Sequence, residues 1–166
     1  MISMTRSHTN STARRDDGRL SPCVCNTLRM VTRAVTQLYD DVLRPSGLRV
    51  TQFSILAAFG RLGEANLKQL RHTLAIDQTT LTRSLDLLER DRLIEPAAHP
   101  DARIRALRLT AKGRRALETA RPLWVRAQGM VLREFGTTAW ADAQRRLAHL
   151  LRVAVTKRRR RRDRAM

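Results

Sequence analysis

The sequence predicts a mainly α chain in which two short helices, joined by a tight turn and followed by a β-hairpin, are carried by longer helices. Three observations point there. The 166 residues are 42% hydrophobic but only 4% aromatic, and they are rich in Leu, Ala and Arg, a composition that favours helices over a β-sandwich. Apolar residues recur at helical spacing along most of the chain. One stretch, RLIEPAAHPDARIRALRLT at 92–110, instead sets β-branched and leucine positions on either side of a Pro/Asp turn.

Residues 1–20 are polar, rich in Ser, Thr and Arg and without periodicity, so they read as a disordered N-terminal arm. From Ser21-Pro22 a first helix carries Leu28, Val31, Val35, Leu38 and Val42 in register and ends at Pro45-Ser46-Gly47. A second, following Thr51, holds Phe53, Leu56, Ala57 and Phe59 and closes at Gly60 to Gly63. Asn66 is placed to cap a short third helix with Leu67, Leu70 and Leu74 on one side. Asp77 is placed to cap the fourth, which runs to about Arg90. The turn between Leu74 and Asp77 is short enough for a helix-turn-helix. LIEPA and RALRLT are the two strands of the hairpin, with HPDARI at its tip. A long helix from Lys112 to Phe135 follows, with a kink expected at Pro122. After Gly136-Thr137 a last helix carries Trp140, Leu147, Leu150 and Leu151.

Thirty-three basic residues face 15 acidic ones, a formal net charge of +18. Residues 157–164, KRRRRRDR, contribute +6 of this and residues 1–20 contribute +2, which leaves +10 on residues 21–156. The body is therefore basic without its tail, and a polyanionic partner follows. Residues 157–166 read as a basic disordered tail that adds sequence-independent affinity. No apolar leader or membrane-spanning run is present, so the expected compartment is the cytoplasm, with no membrane partner. Cys23 and Cys25 are then expected as thiols.

The fourth helix opens TTLTR, with three mediocre helix formers in four positions. On a helical wheel with Leu81 as origin, Leu85 and Leu88 fall within about 40° and form the buried side. Thr79, Arg83, Asp86 and Arg90 fall within about 40° of the opposite pole, with Gln78 and Thr82 between. An outward face of hydroxyls, an amide and a guanidinium suits base edges and phosphates: arginine grips guanine, glutamine pairs with adenine, threonine touches a thymine methyl. At the hairpin, Arg103 and Arg105 lie at or near the tip, where an arginine can enter a minor groove, and Asp101 is placed to hold Arg103 in one rotamer.

RPSGLRVTQFSILAAFGRLG, DQTTLTRSLDLLERDRLIE and HPDARIRALRLTAKG, in this order and spacing, resemble the MarR family of bacterial transcriptional regulators over residues 21–153. The segment TARPLWVRAQ is similar to that family's long dimerisation helix. The resemblance implies a winged helix-turn-helix DNA-binding lobe, about 48–110, plus a helical dimerisation lobe, about 21–45 and 111–155, within one domain at 21–156. It implies a homodimer on a pseudo-palindromic operator of double-stranded DNA. Regulation would be relieved by a small effector, such as a phenolic or other apolar acid, or by thiol oxidation. It places Gln78, Thr79, Thr80, Thr82 and Arg83 on the recognition helix, and Asp101 and Arg103 on the wing's D-x-R motif. Arg71, where the family often has alanine, is a departure that can add a phosphate contact.

CVCNTLRMVTRAVTQLY is similar to the first helix of the family's peroxide-sensing OhrR branch: Cys25, Leu28 and Tyr39 keep its spacing, while Arg29 replaces a tyrosine. Two readings stay open for the cysteines: small apolar residues of a dimer interface, or thiols oxidised by hydroperoxide. Neither a metal nor a cofactor is expected, because His8, His72, His99 and His149 show no ligand spacing with the pair. Paired carboxylates, a nucleophile motif and a phosphate-cradling glycine loop are likewise missing at any defined spacing, so the reading is a regulator and not an enzyme. A basic RNA-binding protein is the rival from another class, but one tyrosine and three phenylalanines supply few stacking surfaces.

Overall fold

Capping side chains, those of Asn66, Asp77 and Thr110, set the starts of three helices in this chain. The computed structural model describes residues 22–98, 101 and 103–163, with side chains as far as Lys157. The arm at 1–20 and the hairpin-tip residues His99, Pro100 and Ala102 lie outside the described residues.

Helix α1 spans Val24–Leu43 and continues into a 3-10 turn at Arg44–Ser46. Helix α2 spans Val50–Leu62. Its start is held from α1: Asp40 accepts from the Val50 amide at 2.7 Å and pairs with the Arg49 guanidinium at 3.1 Å. Next come strand β1 (Glu64–Asn66), helix α3 (Leu67–Leu74) and helix α4 (Gln78–Arg90). Strands β2 (Ile94–Ala97) and β3 (Ala106–Leu109) lead into α5 (Ala111–Phe135) and α6 (Thr137–Asp163). The chain is thus mainly α with one small sheet, the arrangement of a winged helix-turn-helix.

The sheet has three strands in the order β1-β3-β2, all antiparallel, where the sequence predicts a two-stranded hairpin. The added strand, β1, pairs Glu64, Ala65 and Asn66 with Arg108, Leu107 and Ala106. Three residues between a glycine and a helix, the last of them that helix's cap, carry too little periodicity to be read as a strand. Pro96 lies within β2, an edge strand, where a residue without an amide hydrogen is tolerated.

α5 runs from Ala111 to Phe135 with Pro122 inside it. A further difference concerns the last helix. α6 continues to Asp163, so residues 157–163 are helical and not a disordered tail. Arginine is a strong helix former, and bases near a helix C-terminus are favoured by the macrodipole, so the run extends the helix before it.

The chain divides into two compact units, with the boundary after Val35 inside α1. In the first, Val24, Leu28, Met30, Val31 and Val35 are all exposed. The second contains one hydrophobic cluster, reaching from Leu43 through α2, α3 and α4 and the sheet to Leu117 and Ala120 of α5. Phe53 of this cluster stacks on Trp124 at its edge, with ring centroids 5.8 Å apart.

At the start of α5 the backbones meet closely. Thr110 caps this helix, accepting from the Gly113 amide at 2.9 Å, while its hydroxyl donates to the Arg92 carbonyl at 2.7 Å. A Cβ on Gly113 would stand 1.9 Å from the Leu93 carbonyl oxygen, a contact with backbone that no rotamer relieves. Gly113→Ala is therefore expected to cost about 3 kcal/mol or more, measured by chemical denaturation, with loss of the folded state as the extreme outcome.

Candidate nucleic-acid interface

The short turn between α3 and α4 is built from local hydrogen bonds. Asn66 and Gln69 close a reciprocal capping box at the start of α3, each side chain accepting from the other's amide at 2.9 Å. Ala75 ends α3 in the left-handed region at φ 53°, a conformation that costs a side-chain-bearing residue about 1 kcal/mol. Asp77 then caps α4, accepting the Thr80 amide at 3.0 Å. Hydrogen bonds from Thr80, its side chain first and its amide next, hold the Asp77 carboxyl below the ordinary carboxylate range. Thr80, placed on the recognition helix from sequence, is thus first of all part of this cap.

Leu81, Leu85 and Leu88 are buried, as the wheel predicts, and they seat α4 in the core. Gln78, Thr79, Thr80, Thr82 and Arg83 are exposed in its first half. Arg71, from α3, joins this surface by donating to Oε1 of Gln78 at 3.2 Å.

Around the wing, Asp101 accepts from the Arg103 amide at 2.9 Å, and its carbonyl accepts from the Ile104 amide at 3.0 Å. These bonds shape the turn's backbone and leave the Arg103 side chain exposed. Arg105 sits at the base of the wing, one residue before β3, and its guanidinium meets Glu89 of α4 at 2.5 Å. Glu89 was not a candidate from sequence. It lies sixteen residues before Arg105, and strand register rather than local pattern brings the two together.

The remaining candidates lie on α1 and, for Cys23, immediately before it. Cys23 and Cys25 are exposed thiols, and Cys25, Leu28, Arg29, Thr32 and Arg33 line one shallow surface depression. Tyr39 is buried, its hydroxyl donates to Oε1 of Gln128 on α5, and burial raises its pKa. Its hydroxyl thus has a structural partner. Among the described residues no group of three or more His, Cys, Asp or Glu is arranged to hold a metal ion, and no helix is long and apolar enough to cross a membrane.

Residues 46–104 match the sequence model of the MarR family. No curated protein matches the chain significantly. Among solved structures, the transcriptional regulator MosR of M. tuberculosis, in complex with DNA, is 40% identical with a TM-score of 0.73, covering 81% of this chain and 97% of that one. MosR without DNA gives 38% identity and a TM-score of 0.71 over the same shares. A mutant of MarR from E. coli complexed with operator DNA is 23% identical, covers 75% of this chain and 90% of that one, and superposes with a TM-score of 0.68, which speaks to the fold.

The Asp77 cap yields a pH test. A carboxylate whose folded pKa is depressed adds stability that is present above its unfolded value and lost as pH falls through the folded one. Asp77→Asn keeps an acceptor at the cap without the charge. The stability difference between wild type and Asp77→Asn should therefore be constant near neutrality and shrink below about pH 4, as followed by urea unfolding.

Proposed function

The chain belongs to the MarR family, and from that premise we propose that it is a homodimeric transcription regulator that reads a pseudo-palindromic DNA operator. The observation that carries this is α4. Its leucines are buried while Gln78, Thr79, Thr82 and Arg83 present an amide, hydroxyls and a guanidinium from its first half. Recognition helices contact base edges with their N-terminal residues. Arg83 is the candidate for a bidentate contact to guanine, and the threonines for thymine methyls or phosphates. The exposed Arg103 enters an adjacent minor groove, with the wing held against α4 by the Glu89–Arg105 pair.

Dimerisation is supported by apolar side chains that are exposed among the described residues. Val24, Leu28, Val31 and Val35 on α1 are exposed, as are Leu147, Leu151 and Val155 on α6. Covering these partly exposed side chains with a second copy stabilises a dimer by a part of the roughly 1.5–3 kcal/mol that full burial of each would give. The helical extension Lys157–Asp163 adds positive charge, which steepens the salt dependence of binding without selecting sequence. Operator binding acts as repression, relieved by a small effector.

A second reading of the relief step is favoured by one observation. Cys25 is exposed and lines a surface depression with Arg29 and Arg33, so a hydroperoxide can reach the thiol. Attack of the Cys25 sulfur on a hydroperoxide breaks the O–O bond, leaves a sulfenic acid and releases the alcohol.

Footprinting on DNA flanking the protein's own gene tests the main reading, and absence of any protected site would overturn it. Within a protected site, Arg83→Ala should cost about 1–3 kcal/mol and relax preference at one base pair; an equal loss on every sequence would make Arg83 a phosphate contact. For the second reading, Cys25→Ser should bind the operator normally and resist release by organic hydroperoxide. Normal release of that variant would sink the thiol mechanism.

A further inference from the structure

We infer that Arg71 is a positioning residue for Gln78: by donating to its amide oxygen, it leaves the amide nitrogen as the group Gln78 offers to DNA, so that Gln78 selects guanine over adenine. The inference rests on the proposed DNA-reading function and adds to it which base one side chain prefers and what sets that preference.

A guanidinium has donors and no acceptor, so the amide atom facing it has to be the oxygen. Nη1 of Arg71 lies 3.2 Å from Oε1 of Gln78, which assigns the orientation of an amide that sequence leaves undefined. Both ends of this contact stand on ordered helices. Arg71 is in the last turn of α3, and Gln78 is the first residue of α4, directly after the Asp77 cap. The connection between them is only Ala75, Ile76 and Asp77, with Asp77 tied to the Thr80 amide at 3.0 Å and the Leu81 amide at 3.0 Å.

The consequence is chemical. Glutamine pairs with adenine by pointing its oxygen at N6–H2 and its nitrogen at N7 together, which requires both amide atoms to face the base. With Oε1 turned toward α3, the side chain presents the NH2 group. Guanine offers two neighbouring acceptors, N7 and O6, to such a donor, whereas adenine sets its own amino group beside N7. Replacing Arg71 by an uncharged residue of similar length releases the oxygen and restores the adenine mode.

Enrichment of duplexes from a randomised library by the full-length protein tests this. The Gln78→Ala variant identifies the base pair that Gln78 reads, as the position whose preference collapses. At that position the wild type should favour guanine over adenine by about tenfold. Arg71→Lys, which retains a donor for Oε1, should keep the guanine preference. Arg71→Met should lose it or invert it toward adenine, with an unchanged thermal unfolding midpoint. An Arg71→Met protein with the wild-type preference, even if its affinity fell equally on all sequences, would overturn the assignment, as would Gln78→Ala leaving every preference intact. A library in which the wild type enriches nothing would instead overturn the DNA-reading function, and this assignment with it.

Discussion

Much of the second unit hangs on the close contact between Gly113 and the carbonyl of Leu93. The Leu93 carbonyl accepts from the Thr110 amide at 3.1 Å, and the Thr110 hydroxyl reaches the carbonyl before it, that of Arg92. Lys112 adds an ammonium on the Asp91 carbonyl at 2.8 Å. Three successive carbonyls after α4 are therefore satisfied by the first residues of α5 and its cap. Arg92 takes a left-handed φ of 58° there, which turns the chain sharply from α4 into β2. The reading helix, the wing and the long helix are joined at this one junction, and the joint works because position 113 has no side chain.

Around that junction, charged groups divide by what already holds them. Glu89 and Arg105 join α4 to the wing, Glu95 and Arg108 face each other across β2 and β3, and Asp40 holds Arg49. These pairs are exposed or half-exposed, and each contributes little to stability. Their effect is to fix geometry. The hydroxyls and the guanidinium on the outer face of α4 stand on a helix whose leucines leave it little freedom, which lowers the ordering cost of binding.

Sequence revealed the elements whose signals are local. Asn66 and Asp77 were legible as caps because a cap and its partner lie within three residues of each other. The α4 face was legible because a single helix decides it. What escaped depends on register or on neighbouring elements. Strand β1 exists only through its pairing with β3, and Glu89 meets Arg105 only once the sheet has formed. The amide orientation of Gln78 is settled by a residue across the helix turn. The arginine run was read as tail from its charge, although arginine's propensity carries α6 onward to Asp163.

The neighbours Tyr39 and Asp40 show how force can travel through this architecture. One turn of α1 grips two different helices: Tyr39 holds Gln128 of α5, and Asp40 holds the first amide of α2. A displacement of that turn cannot be taken up by either helix alone, because adjacent residues pull on both. One turn of α1 thus fastens two helices at once, and a change in either bond would be felt at a neighbouring residue of the other.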